Sequence, residues 1–183
     1  MASINGSLRA AAYNGILLAA AETELRLRGV ELVRIGDLHL LPRFDEDLDT
    51  DEARPESVRH LRVLLGRIDG LLIASPTFNG AIPSGLKDVI DWGSRPFGSW
   101  PLKDKPVAII TASVGPGAGT ASAEYLQRVL SMFGSTVVTP VSSIGKVTKQ
   151  IDGEGAYSRK PSPGSPRPRL PSRLPWAWVD VCW

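Results

Sequence analysis

Two stretches of this chain, Gly70-Leu71-Leu72-Ile73-Ala74 and Val107-Ala108-Ile109-Ile110, carry no polar side chain at any position. Each is too short for an ordinary helix, and neither alternates as a strand with one wet face does. They fit strands covered on both faces, and that is the habit of parallel sheets. Thr136-Val137-Val138 reads as another such strand. Val30 to Ile35 alternates only in part, with Glu31 and Arg34 among Val30, Leu32 and Ile35, as suits a sheet edge.

Helical stripes fall between these runs. Leu18, Ala21 and Leu25 recur at i, i+3 and i+7. Val58, Leu61 and Leu65 do the same, with Ile68 continuing the row, and so do Ala123, Leu126, Leu130 and Phe133. Each stripe gives one apolar face to lay on a sheet. A shorter helix is expected from about Ser84 to Trp92, with Pro83 near its first turn. Strand and helix in alternation specify a doubly wound parallel α/β sheet.

The two ends of this pattern look short. The first strand must precede Gly6, so it can hardly exceed Ala2 to Asn5. No helix is legible after the strand near Val138, and its absence would bare an apolar face. Instead the composition changes abruptly near Tyr157. Residues 157–183 hold six Pro, four Ser, five Lys or Arg and three Trp. Prolines at that density break helix and strand alike. The chain therefore divides into a folded unit, residues 1–156, and an irregular Pro/Arg/Ser-rich tail, residues 157–183. A shifted reading frame or a neutral extension accounts for the tail more simply than a proline-rich ligand segment does.

Charge excludes further classes. The formal net charge is +2, but the tail carries +4, which leaves −2 on residues 1–156. The basic balance belongs to the tail and argues against nucleic-acid binding by the fold. No apolar run approaches the roughly 18 residues of a membrane span. The start, Met1-Ala2-Ser3-Ile4-Asn5-Gly6, is no secretory signal, so a cytoplasmic protein is expected. One cysteine, Cys182, and two histidines supply no Cys/His metal set. His39 and His60 have no partner constellation. The acidic stretch from Asp45 to Glu52 lacks the spacing of a calcium loop and reads as a solvated loop or a subunit contact.

Three loops follow the carboxyl ends of three strands, the edge where open α/β sheets bind ligands. The first is Asn5-Gly6-Ser7-Leu8-Arg9, leading to a helix near Asn14. A hydroxyl from Ser7, a guanidinium from Arg9 and a helix N-terminus together suit a phosphate. A plain capped turn fits the same spacing. The second runs from Ser75-Pro76-Thr77-Phe78-Asn79-Gly80 to Ser94-Arg95-Pro96. Its prolines stiffen it, Gly80 admits a planar ligand, and dense Pro/Gly/Asn punctuation favours function over simple connection. The third, Thr111-Ala112-Ser113-Val114-Gly115-Pro116-Gly117-Ala118-Gly119, offers backbone N–H donors and room for a flat ring. It is not the dinucleotide G-x-G-x-x-G, because Thr120 stands at the third glycine's place.

Together the segments "NGSLRAAAYN", "LPRFDEDLD", "SPTFNGAIPSGLKDVIDWGSRP" and "KPVAIITASVGPGAGTASAEYLQRVL" resemble the NADPH-dependent FMN reductase family, over residues 4 to about 156. The resemblance implies a flavodoxin-like five-stranded sheet and a bound FMN. NADPH or NADH would donate electrons, and a quinone, dye, metal oxyanion or free flavin would accept them. It assigns Ser7, Arg9 and Asn14 to the FMN phosphate. Pro76, Thr77, Phe78, Asn79 and Gly80 fall to the phosphate and ring, and Ser113 and Gly115 to the ring. No catalytic side chain and no metal are implied. A homodimer or homotetramer is. Two residues depart from the family pattern: Ala12 replaces a common Ser, and Thr77 stands where Glu is frequent. Rival readings are a relative defective in flavin binding and a flavodoxin-type electron carrier. The near-neutral folded unit argues against the second.

Overall fold

The computed structural model describes residues 1–152 together with Ala156 and Tyr157. Apart from Tyr157, the proline-rich tail lies outside the described residues.

The chain runs β1 (Ala2–Asn5), α1 (Tyr13–Leu27), β2 (Val33–Ile35), α2 (Glu56–Arg67), β3 (Leu71–Ser75), α3 (Ser84–Gly93), β4 (Pro106–Ala112), α4 (Thr120–Met132), β5 (Thr136–Val137) and β6 (Ser142–Ile144). All pairings are parallel, and the sheet order is β2-β1-β3-β4-β5. β6 pairs with the far end of β4, setting Ser142 to Ile144 against Ile110 to Ala112, while β5 pairs with Pro106 and Val107. The two are successive pieces of one fifth strand position, interrupted at the cis Thr139–Pro140 bond. The five-stranded expectation therefore holds, with its last strand in two parts. The first strand spans the four residues expected, Ala2–Asn5.

The two apolar runs sit at the centre of the sheet, and β3 is buried at every position. Alternate residues feed two cores. Leu71, Ile73, Val107 and Ile109 join Leu61 and Leu65 of α2, Leu86 and Trp92 of α3, and Leu126 and Leu130 of α4. Leu72, Ala74, Ala108 and Ile110 join Leu17, Leu18, Ala21 and Leu25 of α1. Both faces are thus dry at β3 and β4, which is why those strands can dispense with polar residues.

β2 is shorter than the sequence suggests, Val33–Ile35 rather than Val30 to Ile35. Its partner begins at Ala2, so the ladder starts at the pair Ala2 and Val33. Val30 and Leu32 still pack on the α1-side core.

The face expected to be bare after the last strand is covered in part by a different device. Among the described residues no helix follows β6. Val147, in a single 3-10 turn, is fully buried against the α1-side core, and Ile144, Ile151 and Tyr157 pack beside it. Nearer the β2 edge this face is polar. Glu22 of α1 is 3% exposed and accepts from Ser3 Oγ at 2.6 Å and Arg34 Nε at 2.9 Å. Burial pushes the Glu22 carboxyl up, but the hydrogen bonds from Arg34 and Ser3 and the charges of Arg34 and Arg26 outweigh it and hold it below the ordinary value.

Candidate functional site

The order β2-β1-β3 places a topological switch point between β1 and β3, and open α/β sheets bind ligands outside the strand ends there. The loops after β1, β3 and β4 meet at that edge. Gly6 N–H donates to Ala74 O at 2.8 Å, which ties the first loop to the end of β3. Thr77 Oγ1 lies 2.8 Å from Ser122 Oγ on the first turn of α4, which ties the second loop to the third. Asn14 of α1 reaches Ala112 at the end of β4, which ties the first to the third.

In the first loop, Asn5 Oδ1 accepts from Ser7 N–H at 3.1 Å, an Asx turn that shapes the chain after β1. That N–H is therefore spent, and Ser7 keeps its hydroxyl. Arg9 is exposed and folds back, donating to Ala11 O at 3.1 Å and lying 5.9 Å over the Tyr13 ring. α1 begins without a side-chain cap, because Ala12 holds the N-cap position in extended geometry. Its first turn contains no acidic residue. No side-chain cap takes the N-terminal N–H groups, and the positive dipole end lies near the Arg9 guanidinium, an arrangement that suits an anion.

Asn14 also makes bonds within the chain. It is 4% exposed, its Oδ1 accepts from Ala112 N–H at 2.9 Å, and its Nδ2 donates to Ala112 O at 3.3 Å. Its main work is to brace α1 on β4, and one Nδ2 hydrogen is left for a ligand.

In the second loop, Phe78 and Ala81 exchange backbone hydrogen bonds of 2.9 and 3.0 Å around Asn79 and Gly80. The φ angles of 51° and 79° at Asn79 and Gly80 make this a two-residue turn of the kind that Asn-Gly favours. The turn raises Phe78, Asn79 and Gly80 into solvent while Pro76 stays buried and Thr77 half-buried. The distal part of this segment joins the "LPRFDEDLD" stretch. Asp88 accepts from Arg43 and from Phe44 N–H, Trp92 Nε1 donates to Pro42 O at 2.9 Å, and Arg95 lies 4.8 Å over the Phe44 ring.

In the third loop, Ser113 Oγ accepts from Gly115 N–H at 3.1 Å, and Ser113 N–H donates to Ile144 O at 3.0 Å. Gly115 O in turn accepts from Lys146 N–H. The loop is thus seated on the end of β6. Gly119 closes it at φ 76°, and a Cβ there would come within 2.9 Å of Thr111 Cβ. Only glycine satisfies both demands.

Ser122 shapes the site yet escaped the reading of the sequence, whereas Asn5 and Thr111 stood in its loops without a role of their own. Asn5 before Gly6 is a legible turn signal. Ser122 is a lone serine in a helical stripe and announces nothing. Other groups fall elsewhere. His60 is exposed beside Glu56. Asp49 is not a freely solvated member of its acidic stretch, since Arg54 and Arg62 hold it at 3.0 and 3.3 Å. An open cleft lined by Ile35, Asp37, Ser57 and His60 lies off the end of β2 and contains no residue of the three loops. Among the described residues no cluster of three or more His, Cys, Asp or Glu could hold a metal ion. No described helix is long and apolar enough to cross a membrane.

A parallel sheet of this order, with three loops gathered at its switch point, defines a flavodoxin-like α/β protein. Superposition agrees: a flavodoxin from Pseudomonas aeruginosa matches with a TM-score of 0.52 over 79% of this chain and 82% of its own, at 16% identity, a likeness of fold alone. The profile of the NADPH-dependent FMN reductase family matches residues 1–149, and the chain belongs to that family of oxidoreductases. A quinone reductase of Escherichia coli K12 is 31% identical over 142 residues, covering 78% of this chain and 74% of its own. One from Pseudomonas putida is 31% identical over 165 residues, covering 89% and 87%. Among solved structures, the flavoenzyme NAD(P)H:(acceptor) oxidoreductase FerB of Paracoccus denitrificans superposes with a TM-score of 0.76 at 28% identity, covering 86% of this chain and 85% of its own.

Proposed function

We propose that this chain is an NAD(P)H-dependent FMN reductase whose electrons go to a small oxidised acceptor, a quinone first of all. The observation that carries the reading is the meeting of three loops around the uncapped, acid-free start of α1. The donor set fits FMN. Arg9, the Ser7 hydroxyl and the first N–H groups of α1 suit its phosphate, with the remaining Nδ2 hydrogen of Asn14 behind them. Pro76, Thr77, Phe78, Asn79 and Gly80 line its length, and Ser113 and Gly115 edge its ring.

When bound, FMN supplies the redox chemistry, taking hydride from NAD(P)H and returning electrons to the acceptor. The protein's part is to bind and orient. Its loops are pinned to each other and to strand ends, so little ordering remains to be done on binding. No side-chain acid or base is assigned. Phe78 of the second loop and Val114 of the third are 54% and 61% exposed, apolar surface against which a flat acceptor can lie. The two bacterial relatives named quinone reductase support that acceptor class.

The folded unit that carries the function is residues 1–156. Exposed Phe97 and Leu40 offer surface for a homodimer or homotetramer. We read the protein as working in the cytoplasm, where reduced nicotinamide nucleotides are supplied. The test is a visible spectrum of the full chain after incubation with FMN and desalting, followed by NADPH. A retained flavin band that bleaches with NADPH and returns with a quinone supports the reading. A colourless protein, or a bound flavin that NADPH leaves oxidised, overturns it.

A further inference from the structure

Ser122 is wholly buried at the first turn of α4, and its hydroxyl oxygen touches three others. Pro76 O is at 2.8 Å, Ala81 O at 3.3 Å and Thr77 Oγ1 at 2.8 Å. A serine hydroxyl has one proton to give, and carbonyl oxygens have none. Were that proton aimed at Thr77, the lone pairs of Ser122 would face the Pro76 carbonyl at 2.8 Å with no hydrogen between them. Pro76 O would keep its bond from Ser75 Oγ at 3.0 Å, so the cost is that of two bare oxygens in contact, which is high in a site closed to water. The proton of Ser122 therefore belongs on Pro76 O. Ala81 O loses nothing by this, because it accepts from Phe78 N–H at 2.9 Å. The 2.8 Å contact between the two hydroxyls then has one arrangement left, with Thr77 donating to Ser122.

We infer that Ser122 is a positioning residue that takes the only proton of Thr77, so that Thr77 offers the ligand side lone pairs alone. Thr77 is half-buried on the site edge, between Ser122 and Gly119. Oriented in this way it accepts from an N–H or hydroxyl of the ligand and repels an anionic oxygen. Resting on the FMN reading above, this takes Thr77 away from the phosphate. It assigns Thr77 to a donor that FMN shares with riboflavin, either a ring N–H or a ribityl hydroxyl.

The test combines binding and proton location. FMN and riboflavin are titrated into the full chain and into the variants Thr77→Val, Thr77→Ser, Ser122→Ala and the Thr77→Val/Ser122→Ala double variant, with flavin fluorescence as readout. Loss of one neutral acceptor is expected to weaken both flavins by the same factor, about three- to tenfold, in Thr77→Val. Thr77→Ser should bind as the parent does. Ser122→Ala should weaken both flavins, and the double variant should be no weaker than Thr77→Val. A loss confined to FMN would show that Thr77 serves the phosphate and overturn the assignment. So would an unchanged affinity in Thr77→Val, and additive losses in the double variant would show that Ser122 does not act through Thr77. Neutron diffraction from deuterated ligand-free crystals reads the proton directly. A deuteron on Thr77 Oγ1 directed at Ser122 is the expected result, and one on Ser122 directed at Thr77 refutes it. If neither flavin binds the parent protein, the FMN reading fails while the neutron map still decides the hydroxyl orientation.

Discussion

Replacing Glu22 by Gln removes one charge at almost constant volume from a carboxylate that is 3% exposed. Its Oε1 accepts from Ser3 Oγ and Arg34 Nε, its Oε2 accepts from a terminal nitrogen of Arg34, and Arg26 stands 3.8 Å away. Gln keeps one acceptor but turns an N–H₂ toward the Arg34 guanidinium. A hydrogen bond to a charged group is worth about 1.5–3 kcal/mol. The Arg34 side chain is 47% exposed, so water screens its share. The expected loss is about 1–2 kcal/mol at pH 7, or roughly 2–8 °C in Tm for a chain of this size. The pH dependence follows from the direction of the shift. The folded carboxyl titrates below its unfolded value, so the stabilisation is complete above the ordinary glutamate range near 4.3 and fades as pH falls through the lower folded value. Urea denaturation followed by circular dichroism at pH 7, 5, 4 and 3 measures it, since titrations common to both proteins cancel in the difference. A constant difference between pH 7 and pH 3, or a Glu22→Gln protein as stable as the parent at pH 7, would refute the reasoning.

Other outcomes follow from the same geometry. Ala12→Ser puts a hydroxyl at the uncapped start of α1 and should stabilise the ligand-free protein by about 1 kcal/mol, seen as a higher Tm; an unchanged or lower Tm would count against the cap assignment. Gly80→Ala meets no neighbour within 4 Å but must hold φ near 79°, so it should cost about 1–2 kcal/mol in chemical denaturation through backbone strain alone. Leu126→Ala opens a cavity at a fully buried site between α4 and the sheet and should cost about 2–5 kcal/mol.

The central strands were legible because burial on both faces leaves an unmistakable apolar run. The stripes of α1, α2 and α4 were legible because one face of each must meet that sheet. The parts that escaped depend on partners far away in the chain. β2 shortens because β1 begins at Ala2, a limit its own residues do not express. β6 hides in Ser142-Ser143-Ile144, whose serines suit a half-buried strand end but carry no apolar signal. The three loops announced themselves through Gly, Pro and Asn. The bonds that join them did not: Asn14 spends its amide on a residue 98 positions away, and Ser122 reaches 45 positions back to Thr77. Residue type locates a loop, and only the fold shows which of its donors are already taken.

We propose that the start of α1, with Arg9, holds the phosphate of a flavin. Parallel titrations of FMN and riboflavin into the full chain and into its Arg9→Ala variant, at low and moderate salt, test it most directly. FMN is expected to bind at least about tenfold tighter than riboflavin, as a charge-assisted contact would give. That gap should narrow with salt and shrink in Arg9→Ala, while riboflavin affinity stays the same. Equal affinities for the two flavins, or a gap that ignores Arg9, would contradict it.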